Sequence, residues 1–201
     1  AKKDLPEIAF RQEYMAEFSD NLANPFGLPF INQCTYPLSN EAPVCFGIDL
    51  AKSFDHTVII GLDKNGSGCY LNRFQKDWRQ TVETITNLPK NVPIAIDSTG
   101  VGDPIGEDIA RVMNDVELFK FTSQSKQQLM EGLAVAIQQR KITFPEGVIV
   151  DELSNFEFQY TRTGVKYSAP SGLHDDCVCS LALAWKKWQE TGGGSFGYSF
   201  A

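Results

Sequence analysis

The chain has 201 residues, 42% of them hydrophobic and 14 of them Phe, enough for one sizeable buried core. No apolar run approaches membrane-spanning length and no signal-like segment opens the chain, so a soluble, intracellular protein is expected. The formal net charge of -7 excludes a broadly basic, non-specific nucleic-acid binder, but not an enzyme that acts on nucleic acid through metal-filled carboxylates. Five cysteines, at 34, 45, 69, 177 and 179, form no CxxC pair; neither a disulfide framework nor a zinc site is indicated, and all five are expected as small core hydrophobes.

Residues 1–40 read differently from the rest. Lys2-Lys3 is polar, Leu5 to Phe18 is mixed, and 21–40 carries Pro25, Gly27, Pro29 and Pro37, so it reads as loop. There is no initiating Met, as expected of a piece of a longer protein or of a trimmed chain. From Pro43 the pattern is regular. Val44, Phe46 and Ile48 alternate in a first strand over 43–50 that ends on Asp49. A β-branched run, 56–62, and the returning strand 69–74 flank an Asn65-Gly66 hairpin signal, giving a three-stranded antiparallel meander.

Asp77 caps a helix to about 87, with Trp78, Val82 and Ile85 on one face. A second acidic strand, 92–97, ends on Asp97 and runs into Ser98-Thr99-Gly100-Val101-Gly102. Asp103-Pro104 starts a helix to about 114. A strand over 116–121 and a helix over 123–140 follow, then a short extended piece at 141–145 and a helix at 148–156. Residues 156–160 and 165–167 form a hairpin, and the last helix spans 173–190 before the flexible tail 191–201. The order predicts an α/β fold: a mixed central sheet of three antiparallel strands then parallel ones, with helices on both faces.

Three acidic points stand out: Asp49, Asp97 and the pair Asp175-Asp176. A strand-end Asp is by itself an ordinary loop cap. Two strand-end copies plus an acidic helix start, drawn from three distant segments, are what a divalent-metal site requires.

These motifs carry a resemblance. Gly47-Ile48-Asp49-Leu50-Ala51 with Asp55 six residues on, Ile96-Asp97-Ser98-Thr99-Gly100-Val101-Gly102 and Gly172-Leu173-His174-Asp175-Asp176 resemble the nuclease domain of phage large terminase subunits, within the ribonuclease H-like superfamily. Phe10-Arg11-Gln12-Glu13-Tyr14 with Glu17-Phe18 resembles the stretch joining a terminase ATPase domain to its nuclease, and Ser125-Lys126 before a long helix also fits. The resemblance covers about 8–190. It implies residues 1–40 as a linker or edge of an ATPase domain and 41–190 as the nuclease. No Gly-Lys-Ser/Thr phosphate loop occurs, so ATP-driven translocation is not assigned to this chain.

What the resemblance implies is an endodeoxyribonuclease that cuts double-stranded DNA during genome packaging with two Mg2+ or Mn2+ ions. Asp49 would bridge both ions, Asp97 would complete one shell and Asp175 or Asp176 the other. Successive helical residues point about 100° apart, so only one of the pair faces a given ion directly, with a lean toward Asp176. Asp55 and His174 are auxiliary candidates. Lys52, Lys126, Arg162 and Lys166 are candidate DNA contacts, the last two on the hairpin and all to backbone phosphate. The implied partners are duplex DNA, the ATPase domain, a small terminase subunit and a portal, with no membrane, in the host cytoplasm.

Three other readings remain at this stage. A Holliday-junction resolvase shares the chemistry. An actin-like or sugar-kinase phosphotransferase shares the core, with Asp49 and Asp97 in phosphate loops, but repeats the fold twice. A docking module would carry a degenerate site, and every acid the site needs is present.

Overall fold

The computed structural model describes residues 24–51, 56–99, 103–161 and 164–193. The segment Phe10 to Phe18, Lys52, Asp55, Arg162 and most of the tail lie outside the described residues.

Five strands form one sheet: β1 (Cys45–Asp49), β2 (Thr57–Leu62), β3 (Gly68–Phe74), β4 (Ile94–Asp97) and β5 (Val116–Phe119), in the order β3-β2-β1-β4-β5. β1, β2 and β3 pair antiparallel, whereas β1–β4 and β4–β5 pair parallel. This is the expected mixed sheet. Strand alternation divides its side chains between two cores. Cys45, Val58, Ile60, Leu62 and Ala95 face one core, and Phe46, Ile48, Ile59, Ile94 and Ile96 face the other.

Helices cover both faces. α2 (Trp78–Thr86) and α3 (Asp103–Ala110) supply Ile85 and Ile109 to the second core. α4 (Ser123–Gln138), α5 (Val148–Asn155) and α6 (Asp176–Glu190) pack into the first. α6 is buried without interruption from Asp176 to Trp185, as a helix apolar on all sides should be. Its approach to the sheet depends on Gly47. A Cβ there would collide with the Ser180 carbonyl and the Ala184 backbone. The Ser180 hydroxyl donates to the Gly47 carbonyl at 2.9 Å, with the Val58 carbonyl 3.2 Å away. A separate hairpin, β6 (Glu157–Thr161) and β7 (Gly164–Ser168), follows α5.

The stretch 21–40 departs from its reading as loop. Leu28–Cys34 is a helix, α1, with Pro29 in its first turn, where a missing N–H costs nothing. Phe26, Ile31 and Cys34 are fully buried in the α4–α6 core. The Pro and Gly residues that suggested loop mark a helix start instead. Two further boundaries shift: the helix expected to reach 114 ends at Ala110, and the last helix opens at Asp176 rather than 173. Four cysteines are buried as expected, but Cys69 is only half-buried.

Candidate functional site

In the parallel β1–β4 ladder Gly47 stands opposite Ala95 and Ile48 opposite Ile96. The next step puts Asp49 beside Asp97 at the carboxyl ends of adjacent strands, which lie about 4.8 Å apart. Both share the sheet face with Cys45 and Ala95, the face that α6 covers. Asp97 is buried, and its Oδ1 accepts the Thr99 N–H at 2.7 Å. The Thr99 hydroxyl oxygen in turn accepts the Phe121 N–H at 2.7 Å, tying the end of β4 to the segment after β5.

α6 delivers the other two acids. Asp175 occupies its N-cap but makes no capping bond; its Oδ2 meets the Lys126 ammonium at 2.9 Å. Lys126 lies in the first turn of α4, whose start is fixed by a reciprocal Thr122–Ser125 capping box. Asp176 is 8% exposed, with Oδ2 3.8 Å from Nδ1 of the exposed His174. The His174 ring stands edge-on to His56, at 5.9 Å between centroids.

The electrostatics show that these acids share one region. Burial first, then repulsion from Asp97, Asp176 and Asp175, pushes the Asp49 pKa well above the ordinary carboxylate value, against a pull from Lys126. On Lys126 burial opposes the charge, while the Cys179 sulfur, Asp175 and Asp49 favour it and hold its pKa above the usual lysine range. The Cys179 thiol is itself raised well above its normal value, so at neutral pH the carboxylates are what sustain that ammonium.

Among the described residues, no three His, Cys, Asp or Glu side chains are gathered tightly enough to coordinate a metal ion. Like charges and local partners account for this. Asp97 is turned to Thr99, Asp175 to Lys126, and Asp176 toward His174. The chemistry of the set nonetheless fits a hard divalent cation. Every donor is a carboxylate oxygen, and among the described residues four acids face the one ammonium of Lys126.

The remaining candidates are spread more widely. Lys126 is brought into the cluster. Lys166 is exposed on β7, opposite Gln159. A Cβ on Gly164, the first residue of β7, would lie 3.6 Å from the Gln127 side chain, so β7 begins beside α4. Sequence reasoning missed Glu152 and Arg73, which lie 4.0 Å apart beneath the start of α6. Their signals were an Arg in phase with the inward Leu71, and a Glu between Ile149 and Leu153 on an apolar helix face.

Comparison with known proteins bears on this constellation. The chain is 30% identical over 215 residues to the terminase large subunit of Thermus phage G20c, and equally to that of Thermus virus P23-45. Each match takes in 98% of this chain but only 44% of the relative, so the chain spans less than half the length of both. In three dimensions it matches the crystal structure of the large terminase nuclease from thermophilic phage G20c, with a TM-score of 0.72 and 26% identity over 82% of this chain and 98% of that one. This chain is a homologue of phage large terminase subunits and corresponds to their nuclease domain. The ribonuclease H-like fold class expected above therefore holds. The G20c nuclease has also been solved with magnesium and with cobalt bound. No protein-family model matches the chain. Among the described residues of this terminase-nuclease homologue, no helix is long and apolar enough to cross a membrane.

Proposed function

We propose that this chain is a divalent-metal-dependent endonuclease that cuts double-stranded DNA during phage genome packaging. The observation that carries this reading is the meeting of Asp49 and Asp97 on adjacent strand ends under the acidic start of α6. The magnesium and cobalt forms of the related G20c nuclease support a metal of the same class here. Asp49 would be the central metal ligand, with Asp97 and Asp176 beside it completing the set of carboxylates that would hold the metal. Asp176 is preferred over Asp175 because it acts more strongly on Asp49, whereas Asp175 is committed to Lys126.

When bound, Mg2+ or Mn2+ ions would activate water and stabilise the departing oxygen of the phosphodiester. The chain's own part is to bring the acids to one sheet end, where metal binding would draw them into the deprotonated form. Lys126 balances charge at the edge of the cluster. Lys166, exposed on β7, is proposed as a contact to duplex phosphate, and Arg162 and Lys52 are proposed for the same role. Asp55 and His174 are proposed as auxiliary groups, His174 through its place 3.8 Å from Asp176. The N-terminal stretch 1–40 is proposed as the connection to an ATPase domain, and the small terminase subunit and portal as partners of the whole motor in the host cytoplasm.

The test is cleavage of supercoiled plasmid with Mn2+, with Mg2+ and with chelator. Wild type is expected to nick and linearise the plasmid with metal alone, and Asp49→Asn to leave it intact. Intact plasmid with either metal, while Asp49→Asn binds metal as well as wild type, contradicts the reading. Preference for four-way junctions over linear duplex would move the assignment to a resolvase.

A further inference from the structure

The first turn of α6 is held by a residue outside the acid cluster. The opening N–H groups of a helix have no partner within it, and the N-cap side chain ordinarily takes one of them. Asp175 stands at that position without making the bond, because its carboxylate is on Lys126 at 2.9 Å. The Cys177 N–H goes instead to Glu152 of α5, whose Oε2 lies 2.7 Å away. Glu152 is 7% exposed. Its Oε1 takes no hydrogen bond, and the Arg73 Nε is 4.0 Å from it. Arg73 stands opposite Val58, and Val58 opposite Asp49, so Arg73 lies in the same cross-strand row as the central acid.

A buried carboxylate is costly, and an apolar residue would fill this space more cheaply unless the hydrogen bond matters. The bond does two things. It satisfies the start of α6 so that Asp175 is available to Lys126. It also fixes the turn on which Asp176 sits, one residue before Cys177.

We propose that Glu152 is a positioning residue of the metal site: by capping α6 through the Cys177 N–H, with Arg73 as counter-charge, it holds Asp176 in line with Asp49. This rests on the metal-dependent nuclease reading above. Groups that orient ligands from behind commonly change metal affinity by about 10- to 100-fold when lost.

The test is calorimetric titration of Mn2+ into wild type, Glu152→Leu, Glu152→Gln and Asp49→Asn, each checked for folding by circular dichroism. Glu152→Leu is expected to bind Mn2+ about 10- to 100-fold more weakly. Glu152→Gln keeps an oxygen for the Cys177 N–H and is expected to stay near wild type, a rescue that a space-filling role would not give. Wild-type affinity in folded Glu152→Leu overturns the positioning role. Equal weakness in Glu152→Gln overturns the hydrogen bond as its basis. A wild type that binds no Mn2+ overturns the nuclease reading itself, and this inference with it. If Glu152→Leu does not fold, amide exchange at Cys177 in wild type decides: protection is expected, and exchange as fast as an open helix end overturns the cap.

Discussion

Burial and three neighbouring carboxylates push the Asp49 pKa well above the unfolded value of 3.8, and burial pushes Glu152 the same way. The folded, metal-free protein therefore holds protons that the unfolded chain has already released. Stability then falls as pH rises through the window between the unfolded and folded values. With chelator present, the thermal midpoint is expected to rise as the buffer is moved from neutral toward mildly acidic. Cleavage should run the opposite way, because metal binding requires the deprotonated carboxylate, so activity falls over the same acidic window. Both profiles are measurable on one preparation. Asp49→Asn should raise the metal-free melting temperature and reduce Mn2+-dependent cleavage by about a thousandfold or more, the loss of several kcal/mol of charge stabilisation. Asp49, Asp97, Asp175 and Asp176 were legible in the chain because each ends an alternating strand or opens a helix. Glu152 and Arg73 were not. Each shares only the local phase of its own strand or helix, and nothing in the sequence joins two residues that meet through tertiary packing.

Two elements set the height and tilt of the site. α6 lies on β1 because Gly47 has no side chain, and Ser180 bonds the strand through that gap. Gly47→Ala must displace backbone on both sides, and a loss of about 3 kcal/mol or more is expected in chemical denaturation, the upper end for overpacked cores. α4 carries Lys126 one residue beyond its capping box, where the Thr122 oxygen accepts the Ser125 N–H at 3.0 Å and the Ser125 hydroxyl oxygen accepts the Thr122 N–H at 2.8 Å. Thr122→Ala is expected to cost about 1 kcal/mol by the same measurement. The mixed sheet, three antiparallel strands then parallel ones, was legible because an antiparallel meander and β-helix-β units admit few sheet arrangements, whereas the order β3-β2-β1-β4-β5 came from the structure. α1 was hidden because Pro and Gly punctuate loops and helix starts alike. The apolar spacing of Ile31 and Cys34 was the cue for a helix.

On the scale of the whole molecule, the sheet separates two cores, and the larger one is completed by residues that precede the first strand. Phe26 is fully buried and stacks on Phe156 at 5.5 Å between centroids. A chain cut to begin at residue 41 should melt well below one that begins at 24, and Phe26→Ala alone should cost about 3–5 kcal/mol. Four acids at one sheet end with Lys126 beside them form a site that divalent ions would complete. Anomalous diffraction at the manganese edge from crystals grown with Mn2+ tests that most directly. The account predicts two peaks bridged by Asp49, one also touching Asp97 and the other Asp176. Crystals that contain Mn2+ but show no peak between β1, β4 and the start of α6 would contradict it.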